Sequence, residues 1–341
     1  MPASAEILPT HTPTLFASAV KRAAELLRAG QLVGMPTETV YGLAANAFDP
    51  EAVARIYAAK GRPSHNPIIV HVASAELARR CAATWPQAAQ KLASTFWPGP
   101  LTLVLPRSTC IPDIVTAGGS TVGIRWPQHP FMQAVIQACG FPLAAPSANL
   151  SNRLSPTSAE HVAKQLGEQL PLIVDGGHCA VGIESTVVDL TSDHAVVLRP
   201  GIISAAQIEE ALGHTVMTKG PTVEGQDALR SPGLLAKHYS PKTPLRIVAW
   251  KDEADLRHRL DAMGFQPEQV IILAHSQVPL GGHFPHVWFI PEDAEAYARA
   301  LYELLHRCDE QHVDLIVVEA PPNTPEWSGI TDRLRRAAAQ T

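Results

Sequence analysis

Short β-branched runs alternate with amphipathic helical stretches along most of this chain, and one aperiodic segment divides that alternation in two. No other feature narrows the fold so far. The first run opens with apolar residues at helical spacing, Ala19, Val20, Ala23, Ala24 and Leu27, halted by Gly30. A buried strand, QLVGMP, follows and ends in the polar loop Thr37, Glu38, Thr39. A helix is predicted over residues 50–59, opened by Pro50, and KGRPSHNP leads from it into the strand IIVHV.

The pattern then repeats. SAELARRCAATWPQAAQKLASTF reads as one helix, LTLVLP and TVGIRWP as strands, and HPFMQAVIQACG as a helix. FPLAAPSAN reads as a strand running into a loop, and residues 157–168 as a helix with Thr157 or Ser158 as its N-cap. PLIVDGG and STVVDL are strands, and SAAQIEEALG closes the first run as a helix. Residues 214–245 are rich in Gly, Pro and Ser breakers, follow neither period, and read as a linker. From Leu245 the strands LRIVAW, QVIILAH, HVWFIP and VDLIVVEAPP alternate with helices, which implies a small, largely parallel, Rossmann-like sheet without the GxGxxG fingerprint. The expected architecture is α/β: a mixed first domain over 1–213, a linker over 214–245 and a smaller Rossmann-like domain over 246–341.

Several classes are excluded by composition. At 341 residues with 46% hydrophobic content, two cores are expected and disorder is not. The net charge is −5 with no Lys/Arg-rich run, so a large nucleic-acid footprint is not indicated. Five scattered cysteines without a CxxC pair fit neither a disulfide framework nor a structural zinc site. No apolar run approaches the roughly 20 residues that span a bilayer, and no signal peptide opens the chain, so a soluble, cytoplasmic protein without a membrane role is expected.

Standard nucleotide and hydrolase motifs are missing: there is no GxxxxGK[ST], HExxH or GxSxG. Three loops nevertheless carry chemistry. Lys60 and Arg62 place two cations in a Gly- and Pro-shaped turn, where a triphosphate could meet a point charge and a planar fork. The bland reading of that segment is a solvated loop. Ser147 and Asn149 face one way in an extended segment, or else serve turn and cap chemistry. Asp175-Gly176-Gly177, Gly182 to Thr186 and Arg199 offer close backbone approach and a further cation, or else a tight hairpin and a surface arginine. His71 interrupts an apolar strand, as an ordinary hydrogen-bonded core histidine would.

Taken in order, PTETVYGL, KGRPxxNP, GIRWPxHP, PSANxS, SPT, DGG, GIESTVVD, RPG and SPGxxxxHYSP closely resemble the threonylcarbamoyl-AMP synthase family of the YrdC-like superfamily, in its longer two-domain form. The resemblance covers nearly the whole chain. It implies an open, twisted mixed sheet with a positively lined cavity that joins ATP, L-threonine and bicarbonate into an adenylate and releases pyrophosphate. By similarity Lys60 and Arg62 are the catalytic cations, and Lys60, Arg62, Asn66, Thr121, Asn149, Thr157, Arg199 and Tyr239 hold the nucleotide, with Tyr239 as a lid. Thr39, His71, Arg125, Ser147 and Ser185 would surround the threonine. Mg²⁺ would arrive on ATP and water, and the product would pass to tRNA threonylcarbamoyl-transfer proteins with weak or no direct RNA binding. Asn152 departs from a common glycine, but Asn tolerates the left-handed conformation. The alternatives are a non-catalytic RNA-binding protein of the same fold, and an enzyme that adenylates a different carbamate.

Overall fold

The computed structural model describes residues 5–218 and 239–339. The stretch 231–238 of the SPGxxxxHYSP motif therefore lies outside the described residues.

Two sheets organise the chain. The larger contains β1 (Glu6–Pro9), β2 (Val33–Met35), β3 (Gly42–Asn46), β4 (Val70–His71), β5 (Leu101–Pro106) and β6 (Thr121–Arg125). It continues through β7 (Leu143–Ala144), β8 (Leu172–Asp175), β9 (Thr186–Asp189), β10 (Val196–Arg199) and β11 (Met217–Thr218). Their spatial order is β1-β8-β2-β3-β7-β4-β6-β5-β9-β10-β11, with parallel and antiparallel pairs mixed. The smaller sheet holds β12 (Leu245–Val248), β13 (Val270–Ala274), β14 (Val287–Phe289) and β15 (Leu315–Glu319) in the order β12-β15-β13-β14, every pair parallel. The open mixed sheet and the Rossmann-like second domain match the fold read from sequence.

Two local expectations are corrected. The stretch 74–96 is two helices, Ala75–Cys81 and Gln87–Phe96, because Ala82 turns extended and Pro86 caps the second helix. A residue before proline is pushed out of the helical region, and proline has no N–H for the preceding turn. Within the expected linker, Met217 and Thr218 still pair in parallel with Val196 and Val197 at the edge of the large sheet.

The two domains meet over a continuous apolar seam. Val40, Leu154 and Ile183 from the first, with Tyr239 of the linker, pack against Leu301, Tyr302, Ile330 and Leu334 from the second. At two points the backbones themselves touch. A Cβ on Gly182 (φ 85°) would lie 2.4 Å from Arg299 Cα, and one on Gly329 would lie 2.8 Å from the Gly201 carbonyl oxygen. Only glycine permits that approach.

Candidate active site

The site begins where the helix Pro50–Lys60 stops. Asp49 caps its start, and Gly61 in the left-handed region (φ 57°, ψ 38°) ends it, so the chain turns sharply just after Lys60. Across from this turn, β7 is only two residues long. After it the chain runs from Ala145 to Ala148 beside the approach to β3: Leu43 N donates to Pro146 O at 2.8 Å and Ala148 N to Tyr41 O at 2.8 Å. The buried Lys60 side chain joins the two. Its Nζ donates to Ser147 O at 2.5 Å and to Asn149 O, and lies 3.4 Å from Asn149 Oδ1. Ser151 N returns a bond to Lys60 O at 2.9 Å.

Arg62 curls back over the same loop. Nε donates to Asn66 O at 3.0 Å, and Nη2 donates to Asn66 Oδ1 at 2.8 Å and Pro67 O at 2.6 Å. All these acceptors are carbonyl or amide oxygens, which stabilise a cation without cancelling its charge. Burial pushes the Lys60 ammonium well below its ordinary range, helped by the neighbouring Arg62 charge. Burial likewise lowers the Arg62 guanidinium to about 10, against the opposing pull of Tyr57 and Tyr239. The amide Nδ2 of Asn66 is buried with no acceptor among the described residues.

Facing this loop is a second polar group. Arg125 ends β6 and lies in register with His71 on the neighbouring β4. Its Nη1 donates to Thr39 Oγ1 at 2.9 Å, and its Nη2 pairs with Glu38 Oε1 at 2.7 Å. His71 Nδ1 is buried and has no hydrogen-bond partner among the described residues, while the ring keeps a hydrogen bond with the Ile69 backbone. Burial first, and Arg125 second, lower His71 to about 3, so its ring is neutral at pH 7. Ser185 Oγ lies 2.8 Å from Thr102 Oγ1 and accepts from Arg199 Nη2 at 3.1 Å, while Arg199 Nε donates to Ser185 O at 3.1 Å.

A cavity lies between these groups, its empty space about 540 Å³ when the part open to solvent is counted. Of the residues singled out from sequence, Thr39, Arg62, His71, Arg125, Ser147, Ser185, Arg199 and Tyr239 line it. Lys60 and Asn149 sit behind the Ser147 wall and Asn66 behind Arg62, each reaching the cavity through its bonded partner. Thr121 lies in a neighbouring space of about 260 Å³ that shares Ile69 with the main one. Thr157 is not on the main cavity either, since its Oγ1 lies 3.3 Å from His161 Nδ1.

Tyr239, buried and at φ 60°, closes one side of the cavity, and Ser240 N anchors it by donating to Asn152 O at 3.0 Å. Asn152 itself sits at φ 65°, the left-handed turn that its replacement of glycine demanded.

Sequence reading missed Thr102, Glu184 and Arg333. Glu38 and Glu184 were visible inside the PTET and GIEST segments, but nothing marked them as partners of arginines far away. Among the described residues no group of three or more His, Cys, Asp and Glu side chains is arranged to hold a metal, and Glu38 and Glu184 are both engaged by guanidinium groups. No helix among them is long and apolar enough to cross a membrane.

Comparison with known proteins bears on the whole chain. Residues 25–201 match a family model described as "Telomere recombination", and residues 203–339 match "Threonylcarbamoyl-AMP synthase, C-terminal domain". A threonylcarbamoyl-AMP synthase of Pyrococcus abyssi is 38% identical over 323 residues, spanning 94% of both chains. One of Bacillus subtilis is 42% identical over 325 residues, spanning 94% of this chain and 92% of its own. The crystal structure of P. abyssi Sua5 complexed with L-threonine superposes with a TM-score of 0.88 at 36% identity, covering 98% of each chain. A cavity that brings the two loop cations against the serine–asparagine segment, and a match that runs through both domains, place this chain in the threonylcarbamoyl-AMP synthase family.

Proposed function

We propose that the cavity condenses L-threonine, bicarbonate and ATP into threonylcarbamoyl-AMP and pyrophosphate, a nucleotidyl transfer that supplies the tRNA adenosine beside the anticodon. The observation that carries this reading is the Lys60 bridge to Ser147 and Asn149, which sets one buried cation behind the Ser147 wall of a cavity that a second, Arg62, lines directly. Carbonyl dipoles hold both, so their charge remains available to a phosphate chain. The buried, unpartnered amide of Asn66 beside Arg62 is a donor waiting for an acceptor.

The rest of the lining suits the amino acid. Thr39, Arg125 and Ser185, with Ser147 on the Lys60 side, present hydroxyl and guanidinium donors, and His71 offers a neutral ring. The amine of threonine adds to bicarbonate, and loss of water gives the carbamate. A carbamate oxygen then attacks the α-phosphorus and pyrophosphate leaves with the bond electrons. No protein nucleophile is needed, because the step depends on alignment and on stabilising charge at the phosphates. Tyr239 shields one side of the cavity, and exclusion of water protects a carbamate that is short-lived in solution. Mg²⁺ enters as part of the nucleotide substrate, coordinated by phosphate oxygens and water. The product then passes to a separate transfer protein in the cytoplasm, and the net charge of −5 argues against a large tRNA footprint on this chain itself.

Incubation with Mg²⁺-ATP, L-threonine and bicarbonate, followed by mass spectrometry, tests the assignment. An adenylate bearing the mass of threonine plus the carbamoyl group is expected, with pyrophosphate release that stops when threonine or bicarbonate is withheld. Tight tRNA binding without any adenylate would instead support the RNA-binding alternative.

A further inference from the structure

The last helix, Ser328–Ala338, sends one side chain across the domain seam into the back of the cavity wall. Arg333 is 1% exposed. Its Nε pairs with Glu184 Oε2 at 2.6 Å, Nη2 donates to Glu184 O at 3.1 Å, and Nη1 donates to Pro200 O at 2.9 Å and pairs with Asp332 Oδ2 at 2.9 Å. The guanidinium carbon lies 5.2 Å from the centre of the Tyr239 ring. Glu184 and Tyr239 both line the cavity, so a residue of the second domain holds two parts of its wall without entering it.

Glu184 is otherwise engaged by Ser155 Oγ at 2.5 Å and Tyr302 Oη at 3.2 Å. Burial alone would raise its carboxyl; Arg333, and then Arg199, pull it down instead to about 2. That order matters. Arg199 is the second cation felt by this carboxylate, and its guanidinium donates to the adjacent Ser185. With Arg333 removed, an ionised Glu184 would be left buried without its main counter-charge, and Arg199 would be the cation to turn to. The turn would draw Arg199 off Ser185 and cancel a positive charge on the cavity wall.

We infer that Arg333 is a positioning residue of the active site: by engaging Glu184 it keeps Arg199 against Ser185 and backs the Tyr239 ring, so the second domain sets nucleotide affinity from outside the cavity. The inference rests on the proposed reading of the cavity as an ATP site. Its physical content is an effect on ATP binding.

Three variants test it: Arg333→Met, Arg333→Lys, and Arg333→Met combined with Glu184→Gln. ATP dissociation constants come from calorimetry, KM for ATP and for threonine from pyrophosphate release, and melting temperatures are recorded alongside. Arg333→Met should weaken ATP binding tenfold or more, with a smaller change in KM for threonine. The double variant should recover most of the ATP affinity, because a neutral amide does not compete for Arg199. Arg333→Lys, which keeps the charge and loses the fork, should fall between. A lowered melting temperature with unchanged ATP affinity in Arg333→Met would reduce the residue to domain glue and overturn the inference. So would a double variant as weak as the single one, or, should Arg333→Met not fold, an Arg333→Lys protein with wild-type ATP affinity. Failure of the wild-type protein to form an adenylate would count against the proposed reaction and leave the calorimetric comparison intact.

Discussion

The cavity and the domain seam both bury charge, and they treat it in opposite ways. At the seam, Arg333 meets carboxylates on two sides, Glu184 and Asp332, and Glu184 collects two hydroxyls as well. Charge there is closed upon itself. Around the cavity, Lys60 and Arg62 are held by carbonyl and amide oxygens, with the Tyr57 hydroxyl also bonded to Arg62, and burial lowers the proton affinity of both. A seam needs a fixed geometry, which a saturated ion pair supplies. A phosphate site needs positive charge that is still unneutralised when the ligand arrives.

The contrast can be broken most sharply at the cations. Lys60→Ala or Arg62→Ala should each lower kcat/KM for threonine-dependent pyrophosphate release by about 10²–10³-fold, the scale of losing a preorganised charge at a reacting group. Melting curves should move far less than the rate. Undiminished turnover in both variants would remove the phosphate role assigned here.

The seam should fail through stability rather than rate. Gly182→Ala forces a Cβ toward the Arg299 backbone at a positive φ, so it should cost about 1–3 kcal/mol, visible as a lower urea midpoint. An unchanged midpoint would mean that the backbones part easily. Acidification probes the seam a second way. His161 and His306 stack 3.8 Å apart across it, with Glu303 3.3 Å from His161 and 3.8 Å from His178, and Lys164 and Glu310 nearby. Burial first, then His306, Lys164 and His178, lower His161 to about 3, and burial lowers His306.

Because both folded values lie below the unfolded value of about 6.5, the unfolded chain binds more protons in that window. Their contribution is complete above about pH 6.5 and is lost as the pH falls towards 3. The melting temperature should drop by a few degrees between pH 7 and 5, and His306→Gln should flatten the slope. The smallest effect belongs to the cavity's far wall. Thr102→Val removes the hydroxyl 2.8 Å from Ser185 and should cost about 1 kcal/mol, read as a few-fold higher KM for threonine with kcat nearly unchanged.

The same two regions differ in how far the sequence revealed them. The two central strands of the small sheet, VIILA and LIVVE, are apolar runs buried on both faces, and all four strands were legible. In the large sheet IIVHV and FPLAAPSAN announced β4 and β7, each only two residues long, whereas β3 is GLAAN, which has no β-branched residue to announce a strand. Their pairing is imposed by neighbours. At the site, KGR and PSAN each read equally well as ordinary loops, and only the Lys60 bridge joins them. The Arg333–Glu184 pair spans 149 residues, and no local pattern in a basic terminal helix points across such a distance.

The contact of Gly201 with Gly329 has a mechanical consequence. Side chains in a joint can rearrange their rotamers and let two bodies glide over one another, as packed helices do in shear motions. Main chain pressed on main chain, with a hypothetical Cβ only 2.8 Å from the opposing carbonyl, has nothing to rearrange. That contact resists a sideways slip of the small domain along the large one more than a seam of side chains alone would.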